Sequence, residues 1–236
     1  MQYIAMTERL PALISAMRRL HFIGCRHTPS EDWHLFVQRE HIIRLVSWAF
    51  CADCLATLSC NNPPNFSLQE MSGDLPCDPE LWDTDSALAF RLLRSSWQSS
   101  SNCLKDLMSR LLDDDWRVDS DCDNLPLFHL HVMLCALQPI IFNLHVTMFL
   151  AQQSKKLLQT LSTWRDLWER AMEKVPESHS RWLGVAKNAP DIEYLSRRII
   201  EVAISPEAGS SRYLERVPSY CARDVHEFIR AFISKT

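Results

Sequence analysis

A long helical segment that runs into an Asn-Asn-Pro-Pro sequence at residues 61–64 constrains the fold of this chain most. The segment opens with a capping-box pattern at residues 28–31, in which Pro29 takes the first helical position. Its apolar residues then follow two stripes at helical spacing up to about Ser59. A helix that is apolar on two faces is normally buried at the centre of a domain. Because proline has no backbone donor and disfavours helix in the residue before it, we expect this central helix to end at the prolines.

The rest of the chain shows helical spacing as well. No segment alternates between apolar and polar residues with the two-residue period of a strand, and no internal repeat is found. The chain has 4 glycines against 12 prolines, which leaves few of the positive-φ turns that hairpins need. Further helices are expected at residues 7–22, 85–94, 103–112, 126–150, 154–174, 191–204 and 219–233. We predict an all-α fold, a single large irregular helical domain that covers residues 1–236.

The charge and the cysteine content limit the partners and the compartment. A formal net charge of −4 argues against a broad DNA-binding surface, because a protein that neutralises many phosphates should be basic. The passage from Arg212 to Arg216 is too short to indicate nucleic-acid binding, and we expect it, like Arg197 and Arg198, at the surface. The 9 cysteines follow no regular framework, which is typical of reduced thiols in a cytosolic or nuclear protein.

Two segments bear on membrane association. Leu125 to Leu150 contains no Asp, Glu, Lys or Arg and is long enough to span a bilayer of about 30 Å. It also contains several histidines and amides, with Pro139 near its centre, and polar groups that face lipid without partners are costly. We therefore prefer a core helix and keep the membrane span as an alternative. Residues 1–14 have no uninterrupted apolar core, so no signal peptide is expected.

Three adjacent aspartates, Asp113 to Asp115, are the basis of an alternative enzymatic hypothesis. An aspartate cluster near a helix end can hold magnesium against a diphosphate, as in all-helical terpene synthases. Those enzymes need a second metal motif on a facing helix, which the sequence does not show. Three adjacent acids also point in different directions around a helix. We prefer a solvated acidic loop, with a magnesium-dependent, terpene-synthase-like enzyme as the alternative function.

The pair Cys51-x-x-Cys54 is a candidate for zinc or redox chemistry. A zinc site needs four ligands, and no matching Cys or His pair stands nearby; Cys60 and Cys77 lie in no finger-like pattern. The pair also falls inside a predicted helix, where a redox motif is not expected. We interpret both residues as buried thiols.

The histidines of the apolar segment give no clear site either. His129 and His131 point to different faces of a helix, and His145 lies beyond Pro139, so we expect core or polar-contact roles. The Gly-x-Ser-x-Gly nucleophile motif and Gly-rich phosphate loops are absent. We predict no catalytic, cofactor-binding or metal-ligating residue in this chain.

Residues 33–82 form the most organised part of the sequence. The first part of the pattern consists of Trp33, Arg39, Glu40, Arg44, Trp48, Phe50, Asp53, Pro63 and Pro64. It continues with Glu70-Met71, Leu75-Pro76-Cys77 and Leu81-Trp82, and later with Leu161, Trp164, Leu167, Trp168 and residues 192–195. The pattern resembles the fungal-specific transcription factor domain, also called the middle homology region. It is most similar to the members that carry Cys2His2 zinc fingers ahead of this domain.

The resemblance implies a regulatory domain and not an enzyme. It implies action in the nucleus through protein partners, namely a full-length regulator or a second copy of the chain. It also implies an inducer in a helical cavity and control of a metabolic or biosynthetic gene set. In this family, DNA recognition and its zinc belong to a segment ahead of the domain. We therefore expect the domain to be incomplete at its N-terminus, with no cofactor and no membrane contact of its own.

The residues of this pattern also have a physical reason to recur without chemistry. Trp33 and Trp48 lie about four helical turns apart and are expected on one seam of the core. Glu40 and Arg44 are four residues apart and are expected to pair along the helix. Trp82 is expected to bury its ring over the returning segment. The pattern is therefore interpreted as a scaffold.

Overall fold

Nine α-helices and no β-strand are present in the described part of a computed structural model of the protein. The structure describes residues 4–28, 32–96, 103–113, 125–175, 184–206, 209 and 211–233. The helices are α1 (Leu10–Arg19), α2 (Trp33–Cys60), α3 (Pro79–Trp82), α4 (Ala87–Ser96), α5 (Leu104–Leu112), α6 (Leu127–Val146), α7 (Leu150–Glu173), α8 (Ala189–Ala203) and α9 (Arg223–Phe232). The predicted all-α fold is confirmed.

Helix α2 is the central element, as its two apolar stripes predict. It packs mainly against α6 and also contacts α1, α4 and α9. It begins at Trp33, later than predicted, because Asp32 is its N-cap and accepts a hydrogen bond from the Leu35 amide at 2.8 Å. The predicted start at Pro29 lies outside the described residues.

The C-terminal end of α2 is set by Asn61. This residue adopts the left-handed conformation, with φ of 54°, and its amide donates to the Thr57 carbonyl at 3.1 Å. Asparagine tolerates this conformation better than other residues with a side chain, and it can therefore close a helix as glycine does. The helix stops where the sequence predicts, immediately before the prolines.

Helix α6 is shorter than predicted. It continues through Pro139 and ends at Val146, because Met148 takes a positive φ of 64° and turns the chain into α7. The segment that was expected to run to residue 150 is therefore two helices joined by a tight turn.

Hydrogen bonds from buried side chains join α6 to the next two helices. The indole of Trp164 in α7 is fully buried and donates to the Leu130 carbonyl of α6 at 2.8 Å. The Ser196 hydroxyl of α8 donates to the Gln138 side chain of α6 at 3.0 Å. With α2, these three helices enclose the main core.

A second, smaller core lies under the N-terminal half of α2. It contains Phe36, Cys77, Leu81 and Phe90, which come from α2, α3, α4 and the passage before α3. This cluster attaches the return segment, residues 77–82, to the central helix.

Helices α2 and α6 are both long and apolar enough to cross a membrane by length and composition. In each of them, 61% of the apolar stretch lies buried inside the protein. Core helices show the same composition, and this packing favours the core interpretation of residues 125–150.

Candidate functional site

The carboxylate of Glu40 joins α2 to the passage at Cys77 and to His27, which lies before the family-like pattern. Glu40 is 0% exposed. One oxygen accepts from Arg44 Nε at 2.7 Å and from the Cys77 amide at 3.0 Å, and the other lies 2.9 Å from His27 Nε2. The predicted Glu40–Arg44 pair is present, and the same carboxylate also holds the Leu-Pro-Cys passage against α2.

Asp53 performs the same role for the proline turn, which is the passage from Asn61 to Phe66 after α2. Its buried carboxylate accepts from the amides of Asn65 and Phe66 at 2.7 and 2.8 Å, and from the Asn65 side chain at 2.7 Å. Because three donors occupy it, this carboxylate is engaged in structure and not poised as a base. The aspartate of the pattern thus anchors the turn that follows α2.

The tryptophans depart from the expectation. Trp48 is 45% exposed and contacts Phe128 at a ring distance of 5.0 Å, whereas Trp33 borders the second core, so the predicted common seam is wrong. Fifteen residues rotate a helix about 60° beyond four full turns, which places the two rings on different faces. Trp82 is half-buried and lies under Arg44, with the guanidinium 4.4 Å from the ring centroid.

A cleft of about 500 Å³ opens between the proline turn and α6. Its lining includes Phe66 and Leu68 on one side and Pro139, Ile140 and Asn143 on the other. The volume falls in the range of small-molecule sites, roughly 300–1,000 Å³. Among the described residues that line the cleft, Glu70 contributes a carboxylate. The sequence could not assign any residue to a cavity, because the two walls come together only through the tertiary fold.

A cluster of Cys51, His131 and Cys135 lies between α2 and α6. Their Sγ and ring nitrogen atoms are all within 4.8 Å of one another, and the three residues are buried. No matching Cys or His pair stands near Cys51 in the sequence, and these two neighbours come from a helix far away in the sequence. Contact with Cys51, followed by burial, raises the pKa of the Cys135 thiol well above its usual value. Burial likewise raises the pKa of Cys54 and lowers that of His131.

His145 and Arg216 form a polar cluster at the end of α2. Arg216 Nε donates to His145 Nδ1 at 2.7 Å, and Arg216 Nη1 donates to Asn61 at 2.9 Å. Burial and then the neighbouring guanidinium lower the pKa of His145 to about 4. Arg216 is 8% exposed, so its predicted surface position is wrong. The reason is that Asn61 and His145 supply acceptors for its charge inside the protein.

The remaining candidates have structural environments. His129 Nε2 lies 2.7 Å from the Pro76 carbonyl, and burial lowers its pKa. His129 and His145 therefore have the predicted core or polar-contact roles, and His131 is buried in the Cys51–His131–Cys135 cluster. Arg197 and Arg198 are half-buried and pair with Glu193 and Glu201, instead of standing free at the surface.

The aspartate cluster is only partly described. Asp113 ends α5, is exposed and accepts from the Ser109 hydroxyl at 3.2 Å. Asp114 and Asp115 lie outside the described residues. A metal site at this place, and with it the terpene-synthase alternative, gains no support from the described part.

Comparison with known families decides what this scaffold belongs to. Residues 10–175 match the model of the fungal specific transcription factor domain. The chain belongs to this family. The match covers more than two thirds of the chain and includes the Glu40 and Asp53 anchors, the cleft and the Cys51–His131–Cys135 cluster. The family is a transcription factor domain and not an enzyme family.

Other comparisons give no further relatives. No curated protein and no solved structure matches the chain significantly. The match to the fungal transcription factor domain ends before α8, so Arg216 and Glu193 belong to a part of the chain outside it.

Proposed function

We propose that this fungal transcription factor domain regulates a metabolic or biosynthetic gene set in the nucleus, through contacts with protein partners. The observation that carries the proposal is the family match over residues 10–175. The burial of Glu40 and Asp53 is consistent with it, because these two residues of the pattern hold the domain together. The surface and the cleft are then left to determine what the domain recognises.

An inducer is the second element of the proposal, and the cleft between the proline turn and α6 is its site. Asp53 attaches one wall of the cleft to α2, and α6 forms the other wall independently. A ligand that bridges the two walls would stabilise one arrangement of them and thereby shift the domain between states. Prolines, Phe66 and Ile140 offer apolar contacts, and Asn143 offers an amide, which suits a small molecule of mixed polarity.

A tethering experiment tests the regulatory role. The chain is fused to a heterologous DNA-binding head and expressed with a reporter in a fungal host. We expect the fusion to raise or lower the reporter relative to the head alone. A folded fusion that leaves the reporter at the level of the head alone would contradict the proposal.

A binding experiment tests the inducer site separately. Melting temperatures are measured against a panel of small carboxylic acids, sugars and aromatic metabolites. We expect at least one compound to raise the melting temperature of the wild type and not that of Asn143→Trp, whose ring fills the cleft. The control is Gln152→Trp, at an exposed position of α7. Equal shifts in both variants would place the ligand elsewhere.

A pull-down experiment tests the partners. In one experiment, a tagged and an untagged copy of the chain are co-expressed. In a second experiment, the untagged chain is co-expressed with a tagged full-length member of the same family. Recovery of one copy with another supports pairing between domains. This chain could act as a competitor by pairing with a full-length regulator. Failure to recover the untagged chain in either experiment would count against that role.

A further inference from the structure

The Cys51–His131–Cys135 cluster has no part in the regulatory role described above. His131 and Cys135 lie four residues apart on α6 and therefore share a face, and Cys51 meets that face from α2. The three ligand atoms lie within 4.8 Å of one another. Two helices thus present a thiol, an imidazole and a second thiol to a single point in the core.

The separation of His131 and Cys135 fits a metal ion of the size of zinc. With Zn–S bonds of about 2.3 Å and Zn–N bonds of about 2.0–2.1 Å, tetrahedral ligand atoms are separated by roughly 3.5–4 Å. His131 Nε2 and Cys135 Sγ are 3.7 Å apart. This separation is that of a hydrogen bond to sulfur, and it also matches two ligands of one zinc ion.

The imidazole of His131 is buried in the core. The residue is 1% exposed, and its Nδ1 has no hydrogen-bond partner among the described residues. A buried polar atom normally has a partner, because leaving it without one is costly. The other ring nitrogen, Nε2, faces Cys135 Sγ and is therefore the atom that would bind an ion, which leaves Nδ1 for a second-shell contact.

We propose that Cys51, His131 and Cys135 bind a zinc ion, with the Cys54 thiol as the fourth donor. Structural zinc sites almost always have four protein ligands, and the burial of this cluster leaves the fourth place to the protein. Cys54 lies one helical turn after Cys51 and is buried; its Sγ is outside the group of atoms that lie within 4.8 Å of one another, so it would reach the ion by a rotation of its side chain. As zinc–sulfur bonds form, the coordinating thiols release their protons to solvent.

Thiolate and imidazole ligands select zinc and related soft ions over magnesium or calcium. The ion would join α2 to α6 next to the cleft, since Ala136, the residue after Cys135, lines that cleft. The zinc site does not depend on the proposed regulatory role, and failure of either leaves the other standing.

Metal analysis of the purified chain tests the proposal. The protein is purified under reducing conditions without chelators, and its zinc content is measured by mass spectrometry. We expect roughly one zinc ion per folded chain. We also expect cobalt added to the zinc-free protein to produce the absorption bands of thiolate-bound cobalt, at the same stoichiometry.

Substitutions identify the ligands. Cys51→Ala and Cys135→Ala should each lower zinc affinity by at least about tenfold. Cys60→Ala, at another buried position of α2, is the matched control and should bind zinc as the wild type does. Circular dichroism reports whether each variant folds. If the variants fail to fold, alkylation of the wild type decides instead: zinc should protect Cys51 and Cys135, while denatured protein reacts at both.

Three results would overturn the proposal. The first is a folded wild type that retains no zinc and gives no cobalt–thiolate bands. The second is a Cys51–Cys135 disulfide in peptide maps of the protein as purified. The third is zinc that stays bound in both alanine variants.

Discussion

Two buried carboxylates show how single residues of the family pattern act. Glu40 and Asp53 lie on α2, and each receives hydrogen bonds from the chain that follows this helix. A buried charge is tolerated only when donors surround it, and these donors are mostly backbone amides and arginine. The segments that these two carboxylates bind therefore require an acidic residue at each position.

Replacement of Glu40 by alanine tests this at the residue scale. The change leaves Arg44, His27 and the Cys77 amide without their shared acceptor, so we expect a loss of about 3 kcal/mol in the free energy of unfolding. Urea denaturation measures it. Glu80→Ala, at an exposed position of α3, is the control and should cost less than about 0.5 kcal/mol. Similar losses in both variants would show that Glu40 has no special role.

His145 predicts how stability depends on pH. Its pKa is lowered to about 4 in the folded protein from the usual 6.5, so below pH 6.5 the unfolded chain binds the proton more readily. Stability should therefore fall as the pH decreases from 6.5 to 4. Because the ring is only partly buried, we discount the effect to about 1–2 kcal/mol.

The contribution of His145 is measured by urea denaturation at several pH values. His145→Asn should reduce the loss of stability at acidic pH, whereas His226→Asn, at an exposed position of α9, should leave it unchanged. Wild-type and His145→Asn curves with the same slope would contradict this assignment. The lowered pKa values of His129 and His131 act in the same direction and should leave a residual slope.

At the scale of elements, the sequence predicted the helices better than their contacts. Helix spacing and the proline break set the end of α2, and charge-free composition marked the buried α6. The Glu40–Arg44 pair could be predicted because both residues lie on one helix. The contacts of Glu40 with Cys77, and of Cys51 with His131, could not, because periodicity gives no information on which helices meet.

The end of α2 gives a prediction at this scale. Asn61 holds a left-handed conformation, and its side chain bonds the Tyr213 carbonyl and Arg216. Asn61→Gly loses these bonds but keeps the conformation, while Asn61→Ala loses both. We expect the alanine variant to be less stable than the glycine variant by about 1 kcal/mol, by urea denaturation. Within a helix, alanine would be the more stable of the two, so the opposite order would contradict the cap.

At the scale of the whole molecule, the core extends beyond the region that matches the family. Ile199 and Ile200 of α8 are fully buried in the main core, and the buried Glu193 bonds Arg165 of α7. Tyr213 donates its hydroxyl to the Leu58 carbonyl at 2.6 Å, which ties the C-terminal segment to α2. We therefore expect the described helices to unfold as one cooperative unit, in which the matched region depends on the rest.

Truncation tests this dependence. A chain that ends at residue 175 would expose the core faces of α6 and α7, and we expect it to lose the cooperative thermal transition that the full chain shows. Ile200→Ala in the full chain should cost about 2–4 kcal/mol and keep the transition. A truncated chain that melts cooperatively at the wild-type temperature would show that α8 and α9 are accessory.

The central claim is that the family pattern forms a scaffold for a regulatory domain and carries no chemistry. The test uses the tethered wild type and the variants Glu40→Gln and Asp53→Asn. Reporter activity is measured for each fusion and divided by the amount of folded fusion in the cell. We predict that each variant lowers the reporter activity only in proportion to its loss of folded fusion. The reporter activity per folded fusion should then be the same for the wild type and both variants. A variant that stays fully folded and loses the response would contradict the account, because its carboxylate would then act in regulation itself.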